Sequence, residues 1–282
     1  MKQIKKGLFF LLIIGSKGNP FSDIQNMSCT FFKFETIASN SPAKAVDNLF
    51  SFFATDCFSA NLSKEGKDSL FQPKLEVFSK NDLPLNLVPA PVKSDLPLVF
   101  FISGDGGWKD WDQKVSEEFA KAGMPVVGLN AQKYFWKEKQ PKEVANEFSI
   151  AIKNYLQIWG KHTFVLVGYS FGACVAPFIA SNFDDQIKRN LKGVYCFSPD
   201  LTGDFEIHLT DMLHLNTKRK YDVVSGLINI KSMNPVCLFG DEEESKTRNE
   251  FSKSGIKIKM LPGDHHYNDD YKAIAGVILN DF

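Results

Sequence analysis

A serine between two glycines, in the stretch Gly168-Tyr169-Ser170-Phe171-Gly172, is the feature of this sequence best suited to chemistry. An apolar run at 164–167 precedes it and predicts a buried strand. The flanking glycines let the chain turn sharply from that strand into a helix, with the serine exposed at the turn. A plain turn between strand and helix is the alternative. We predict that Ser170 is a nucleophile.

A nucleophilic serine needs a base, and the base needs a carboxylate that orients it. Asp241 comes directly after Gly240, at the end of the apolar run 235–239, and we predict that it supplies this carboxylate. Glu242, Glu243 and Glu244 are alternatives. A glutamate there would start from the following helix rather than from the strand end, which favours Asp241.

Two adjacent histidines, His265 and His266, follow Pro262-Gly263 at the end of another strand-like run. The spacing P-G-x-x-H favours His266 as the base, and His265 is the alternative. The base takes the proton of Ser170 and later gives it to the leaving group. The chain order serine, aspartate, histidine is typical of enzymes whose nucleophile lies on a strand-to-helix turn.

The glycine-rich stretch Ser-Gly-Asp-Gly-Gly-Trp at 103–108 follows the apolar run 98–102. A turn of this kind at a strand end exposes backbone N–H groups. We predict that the N–H groups of Asp105 and Phe171 form an oxyanion hole. A phosphate-binding loop is the competing interpretation, but the stretch contains neither G-K-[ST] nor G-x-G-x-x-G.

These candidates all follow strands, and strands alternate with helices along the chain. The periodicity of apolar residues and the local composition predict strands at 83–87, 98–102, 125–130, 164–167, 193–197, 235–239 and 256–261. They predict helices at 108–122, at 141–159, after Ser170 and from about 269. Such alternation predicts an α/β fold with a mostly parallel sheet and helices on both faces. The carboxyl ends of parallel strands meet at one edge, where ligands bind.

Composition excludes several other classes of function. Lys plus Arg and Asp plus Glu both number 33, and no basic stripe is evident, so a nucleic-acid partner is not expected. The five cysteines form no C-x-x-C pair, and we expect neither a metal nor a cofactor. Cys174, Cys196 and Cys237 fall in apolar runs typical of buried thiols. Cys29 and Cys57 could pair if the chain is exported.

The first residues are typical of an export signal. Residues 1–6 are basic, and residues 7–14 are apolar but too few to span a bilayer. We therefore predict a signal peptide at 1–16 and a periplasmic protein. Residues 17–82 show no clear period, and we assign them no role. The catalytic domain is predicted at 83–282.

Several stretches together resemble one family of bacterial virulence proteins, VirJ and AcvB. They are 103–108, Tyr134-Phe135-Trp136, 168–172, Phe205-Glu206-Ile207-His208 and Pro-Gly-Asp-His-His-Tyr at 262–267. The resemblance implies a periplasmic α/β hydrolase that cleaves aminoacylated phosphatidylglycerol, notably the lysyl form. It also implies partners among type IV secretion components.

A lysyl ester carries ammonium groups close to its carbonyl, so a selective site should present carboxylates near the serine. Glu242 is our candidate, together with Trp108 and Trp136, whose rings could also meet the lipid interface. The aromatic loop 133–137 could equally be part of the core. A general carboxylesterase of the dienelactone-hydrolase type and a non-catalytic binding protein for secretion are the alternative functions.

Overall fold

The computed structural model of the chain describes residues 83–207 and 219–282. The predicted signal peptide at 1–16, the segment 17–82, and Cys29 and Cys57 lie outside them. In the described part, a central sheet of seven strands has the order β1-β3-β2-β4-β5-β8-β9. Its strands are β1 Leu85–Val88, β2 Leu98–Ile102, β3 Val126–Leu129, β4 Phe164–Tyr169, β5 Leu191–Phe197, β8 Pro235–Gly240 and β9 Lys257–Leu261. A separate small ladder pairs β6 Thr202–Gly203 with β7 Tyr221–Asp222.

Five of the pairings in the central sheet are parallel, and only β1 pairs antiparallel, with β3. β2, β4 and β8 are buried along their whole length. In β2, Phe100 packs into the hydrophobic cluster on one face of the sheet, and Phe101 packs into the cluster on the other. Burial on both faces explains why these strands are apolar runs rather than alternating patterns.

Helices connect the parallel strands. They are α1 Asp110–Lys121, α2 Ala131–Tyr134, α3 Pro141–Ile158, α4 Phe171–Asn182, α5 Asp185–Asn190, α6 Val223–Asn229, α7 Ser245–Lys253 and α8 Tyr271–Leu279. The predicted fold class, a mostly parallel α/β sheet with helices, is confirmed. The shorter helices α2, α5 and α6 are additions to the prediction. Within the described ranges, no helix combines the length and apolar character needed to cross a bilayer.

Candidate active site

Ser170 lies between β4 and α4 with φ 53° and ψ −114°, a strained backbone conformation for a residue with a side chain. A Cβ on Gly168 would lie 2.2 Å from the Gly172 carbonyl oxygen, and one on Gly172 would lie 2.2 Å from that of Ile102. The glycines are therefore required by the close approach of strand and helix. This is the geometry of a nucleophile elbow, which exposes the serine at the edge of the sheet.

A cavity of about 280 Å³ opens beside Ser170. Its polar lining consists of Asp105, Ser170, Cys174, Ser198, Asp200, Arg219, Glu243, Glu244, Thr247 and His265. These residues follow the carboxyl ends of several strands. Carboxylates predominate over cations among the charged groups of the lining.

The predicted oxyanion-hole residues, Asp105 and Phe171, both line this cavity. Phe171 is the first residue of α4, where a backbone N–H has no partner within the helix. The buried Ser103 fixes the loop that carries Asp105, because its hydroxyl accepts a hydrogen bond of 3.0 Å from the Ala131 N–H. The two N–H groups thus belong to segments that meet at the nucleophile.

His265 and Glu243 form a pair in the wall of the cavity. The Nδ1 atom of His265 lies 3.3 Å from the Oε2 atom of Glu243. Burial raises the pKa of the Glu243 carboxyl, but hydrogen bonds from His265, from the Ser198 hydroxyl and from the Gly240 N–H outweigh this effect and leave the pKa below its ordinary value. Glu243 is therefore a carboxylate at neutral pH and can hold an imidazole.

Asp241 and His266, the residues that spacing favoured, lie elsewhere. The Asp241 N–H donates to Leu261, which continues the ladder between β8 and β9, and its carboxylate accepts a 2.8 Å bond from the Gly263 N–H. Asp241 is exposed and closes the turn after β9. The side chain of Glu243 reaches the cavity instead, because the turn after Gly240 brings it back so that its Oε1 accepts the Gly240 N–H at 2.7 Å.

His266 is exposed and does not line the cavity, and its ring lies edge-on to Trp111 with centroids 6.4 Å apart. Its backbone carbonyl accepts a hydrogen bond of 3.2 Å from the Trp111 indole N–H. The preceding carbonyl, that of His265, accepts one of 3.3 Å from the Tyr169 hydroxyl. These bonds hold the loop in a rotation in which His265, and not His266, lines the cavity that Ser170 also lines.

The predicted substrate-binding residues are scattered. Trp108 packs on β3, where a Cβ on Gly128 would lie 2.0 Å from its ring. Trp136 is 51% exposed, outside the cavity. Glu242 is exposed and is not part of the lining, whereas the next two residues, Glu243 and Glu244, line the cavity.

The cysteines expected in the core, Cys174, Cys196 and Cys237, are buried free thiols. Cys174 lines the cavity, but burial raises the pKa of its thiol to about 12. It is therefore protonated at neutral pH and does not compete with Ser170 as a nucleophile. Among residues 83–207 and 219–282, no group of three or more His, Cys, Asp and Glu side chains is arranged to hold a metal ion.

Ser198 and Tyr267 were not anticipated from the sequence. The Ser198 hydroxyl donates to Glu243 Oε1 at 2.6 Å and lies 2.6 Å from the Tyr267 hydroxyl. Tyr267 lies in the stretch 262–267 that resembles the virulence proteins, and this is the sequence signal that could have pointed to it. Ser198 carries no comparable signal.

Solved structures with a similar fold include a peptidase and an esterase. A proline iminopeptidase from Mycobacterium smegmatis matches with 11% identity and a TM-score of 0.51, over 70% of this chain and 94% of the peptidase. Naproxen esterase from Bacillus subtilis matches with 10% identity and a TM-score of 0.48, over 84% and 98% of the two chains. The likeness to the peptidase shows the α/β-hydrolase fold and nothing finer.

Sequence comparison is more specific. No curated protein sequence matches this chain significantly. A family model described as bacterial virulence protein (VirJ) matches residues 96–282, well over half of the chain. These residues contain the elbow, the cavity and the paired His265 and Glu243. The chain belongs to the VirJ family of bacterial virulence proteins.

Proposed function

We propose that the protein is a serine ester hydrolase whose triad is Ser170, His265 and Glu243. The observation that carries the proposal is the 3.3 Å contact between His265 Nδ1 and Glu243 in the wall of the cavity that Ser170 also lines. With Nδ1–H donated to Glu243, Nε2 of His265 is the basic nitrogen. We therefore prefer the alternatives Glu243 and His265 to Asp241 and His266 as the partners of Ser170.

The reaction follows from these roles. Nε2 of His265 takes the proton of Ser170 as Oγ attacks the ester carbonyl carbon, and Glu243 stabilises the imidazolium that forms. The N–H groups of Asp105 and Phe171 stabilise the developing oxyanion. The ester C–O bond then breaks, and His265 gives the proton to the departing alcohol oxygen. Water releases the acyl group from Ser170 by the same steps, with His265 again acting as the base.

For the substrate, we propose aminoacyl-phosphatidylglycerol, with a lysyl group as the acyl part. The carboxylates of Asp105, Asp200 and Glu244 line the cavity and favour a cationic acyl group. Arg219 also lines it, 4.0 Å from Asp200, and offers a partner for the phosphodiester of the headgroup. A neutral ester offers no cation to the carboxylates of the lining, which disfavours a general carboxylesterase.

A lipid substrate requires contact with a membrane, and Trp136 suits that contact. It is exposed, as are Lys133 and Lys137 beside it, a combination that binds the headgroup region of anionic bilayers. The preceding residue, Phe135, packs on Phe171 with ring centroids 5.2 Å apart, and Phe171 lines the cavity. The basic and apolar start of the chain, residues 1–14, supports action in the periplasm.

The decisive experiment measures lysine release from vesicles that contain lysyl-phosphatidylglycerol. We expect turnover by the wild type and a loss of several orders of magnitude in Ser170→Ala, which keeps the Cβ and the fold. Neutral short-chain esters should be poor substrates in parallel assays. Equal kcat/KM for neutral esters and the lysyl lipid would contradict the proposed substrate, and full activity of Ser170→Ala would contradict the mechanism.

Membrane contact is tested separately, by sedimentation with phosphatidylglycerol vesicles that contain no aminoacyl lipid. Trp136→Ala should bind several-fold more weakly than the wild type. Ile158→Ala is the matched control, because Ile158 is 67% exposed at the far end of α3, at the opposite edge of the sheet. An equal loss in both variants would refute a specific role of Trp136.

A further inference from the structure

Ser198, at the end of β5, has an unusual backbone for its position. Its φ is 49°, in the left-handed region, and its side chain is 4% exposed. Its N–H donates to the Leu238 carbonyl at 2.8 Å, which ties the end of β5 to β8. A buried non-glycine residue in this conformation costs free energy and persists where its surroundings determine it.

The hydroxyls of Ser198 and Tyr267 form a directed chain toward Glu243. Ser198 Oγ is 2.6 Å from Glu243 Oε1 and has one hydrogen, which it donates to the carboxylate. It therefore accepts from the Tyr267 hydroxyl, 2.6 Å away, which also lies 3.2 Å from the Leu238 carbonyl. The ring of Tyr267 is 1% exposed, and burial raises its pKa well above the ordinary value, so the phenol keeps the proton it donates.

The chain occupies one oxygen of Glu243 and leaves the other for the histidine. Oε1 accepts from Ser198 and from the Gly240 N–H, at 2.6 Å and 2.7 Å. Oε2 faces His265 Nδ1. A glutamate has several rotatable bonds, and without these donors its carboxylate would sample other rotamers and leave the imidazole unheld.

We propose that Ser198 and Tyr267 are positioning residues of the catalytic triad, which fix the Glu243 carboxylate and through it the orientation of His265. The inference rests on the proposed function, because it assigns roles within the same site. Ser198 lines the cavity, but its hydroxyl bonds to Glu243 and Tyr267. The effect of both residues is therefore expected to pass through Glu243, and this makes the inference testable.

The first measurement is the rate at which a fluorophosphonate labels Ser170, with fluoride as the leaving group. The second measurement gives kcat and KM for ester hydrolysis. Ser198→Ala and Tyr267→Phe should each lower the labelling rate and kcat about tenfold and leave KM nearly unchanged. A tenfold loss corresponds to one hydrogen bond in a chain that ends on a charged group. Ser198→Gly relieves the backbone strain yet loses the same hydroxyl. It should therefore be as slow as Ser198→Ala while being the more stable of the two.

The matched control is Tyr195→Phe, on the same strand β5. The Tyr195 hydroxyl donates to Asp281 at 3.0 Å, also a carboxylate but one outside the cavity. This variant should lose stability without losing labelling rate. A comparable loss of labelling in Tyr195→Phe would reduce the proposal to a general effect on the fold.

A double-mutant cycle with Glu243→Gln isolates the route of the effect. If Ser198 acts through the Glu243 carboxylate, Ser198→Ala should slow the Glu243→Gln variant less than twofold. A full tenfold loss in both backgrounds would overturn the inference. Absence of labelling in the wild type would instead overturn the proposed function, and wild-type labelling rates in Ser198→Ala and Tyr267→Phe would overturn the inference while leaving the function intact.

Discussion

Two loops at the carboxyl edge of the sheet carry the candidate catalytic groups, and they are held in different ways. The loop after β4 is shaped by backbone packing, since Gly168 and Gly172 leave no room for a Cβ. The loop after β9 is held by side chains from distant segments, Trp111 and Tyr169, which donate hydrogen bonds to its carbonyls. Their rings stack on each other with centroids 4.0 Å apart.

Because the two loops are held in different ways, they should respond differently to substitutions elsewhere in the chain. The elbow depends on residues close together in sequence and on the strand beside it, and substitutions elsewhere should leave it intact. The loop with His265 and His266 depends on contacts between segments far apart in the chain. The directions of the two histidine side chains therefore depend on the hydrogen bonds from Trp111 and Tyr169.

The largest expected effect distinguishes these histidines. His265→Ala should lower kcat by about 10⁴-fold or more, because removal of the base from a triad costs nearly as much as removal of the nucleophile. His266→Ala should retain most of the activity. Hydrolysis rates of the two purified variants, with circular dichroism as a check on folding, decide the matter. If His266→Ala is inactive and His265→Ala is active, the base is His266, as the spacing predicts.

The next effect concerns the carboxylates. Glu243→Gln should lower kcat by about 10²-fold to 10⁴-fold, since an amide neither fixes the required tautomer nor stabilises the imidazolium. Asp241→Asn should be nearly as active as the wild type, because Asp241 binds the Gly263 N–H and an amide oxygen can accept the same bond. Steady-state kinetics on both variants measure this. A larger loss of kcat in Asp241→Asn than in Glu243→Gln would assign the carboxylate of the triad to Asp241.

The sequence was sufficient for the elbow and for the strands around it. Ser170 and its glycines are specified by a short motif after an apolar run, and the long helices follow from their apolar faces. Such signals depend on neighbours in sequence. They therefore predicted the α/β fold, its mostly parallel sheet and the edge at which the cavity opens.

The proposed partners of Ser170, Glu243 and His265, differ from the pair that spacing favoured. The choice between Asp241 and Glu243 depends on a turn that returns the glutamate to the Gly240 N–H, and on Ser198 at the end of another strand. The choice between His265 and His266 depends on Trp111 and its indole N–H. Ser198 and Trp111 are far from Glu243 and His265 in the chain, and a spacing rule contains no information about such contacts.

The elbow itself can be disrupted by a single methyl group. Gly172→Ala would place its Cβ 2.2 Å from the Ile102 carbonyl oxygen, and the overlap should lower the free energy of unfolding by about 3 kcal/mol. Gly276→Ala is the control. Its Cβ would meet only the Asn280 amide, at 4.0 Å, within α8, so it should stabilise the protein by about 0.5–1 kcal/mol. Urea unfolding measures the free energy of unfolding of both variants. Equal values would show that the elbow has room for a Cβ at Gly172.

The smallest effect concerns the support of the histidine loop. Asp112 lies in the first turn of α1, next to Trp111, and is 3% exposed. Its Oδ2 accepts the Lys109 N–H at 2.9 Å, and its buried Oδ1 has no hydrogen-bond partner among the described residues. Burial raises the pKa of this carboxyl from 3.8 to about 6, although hydrogen bonds from the backbone N–H groups of Lys109 and Asp112 oppose the shift.

The sign of the pH dependence follows from that pKa. The folded protein holds the proton of Asp112 more tightly than the unfolded chain does, so Asp112 costs stability above pH 6 and the cost disappears as the pH falls from about 6 to about 4. Two pKa units correspond to about 3 kcal/mol. Asp112→Asn keeps the bond to Lys109 and removes the charge, but its amide N–H groups still need partners. At pH 8 its free energy of unfolding should therefore exceed that of the wild type by about 2 kcal/mol. At pH 4 the two free energies of unfolding should show no such difference.

Urea unfolding of the wild type and Asp112→Asn across this pH range tests the prediction. Asp110→Asn is the matched control, because it makes the same replacement at an exposed position of the same turn. An equal change in both variants would show a general effect of an amide in this turn. A stability difference between the wild type and Asp112→Asn that stays constant from pH 4 to pH 8 would show that Asp112 has the same charge in both states. In that case folding would not shift the pKa of Asp112, and burial of this carboxyl beside Trp111 would not make the stability depend on pH.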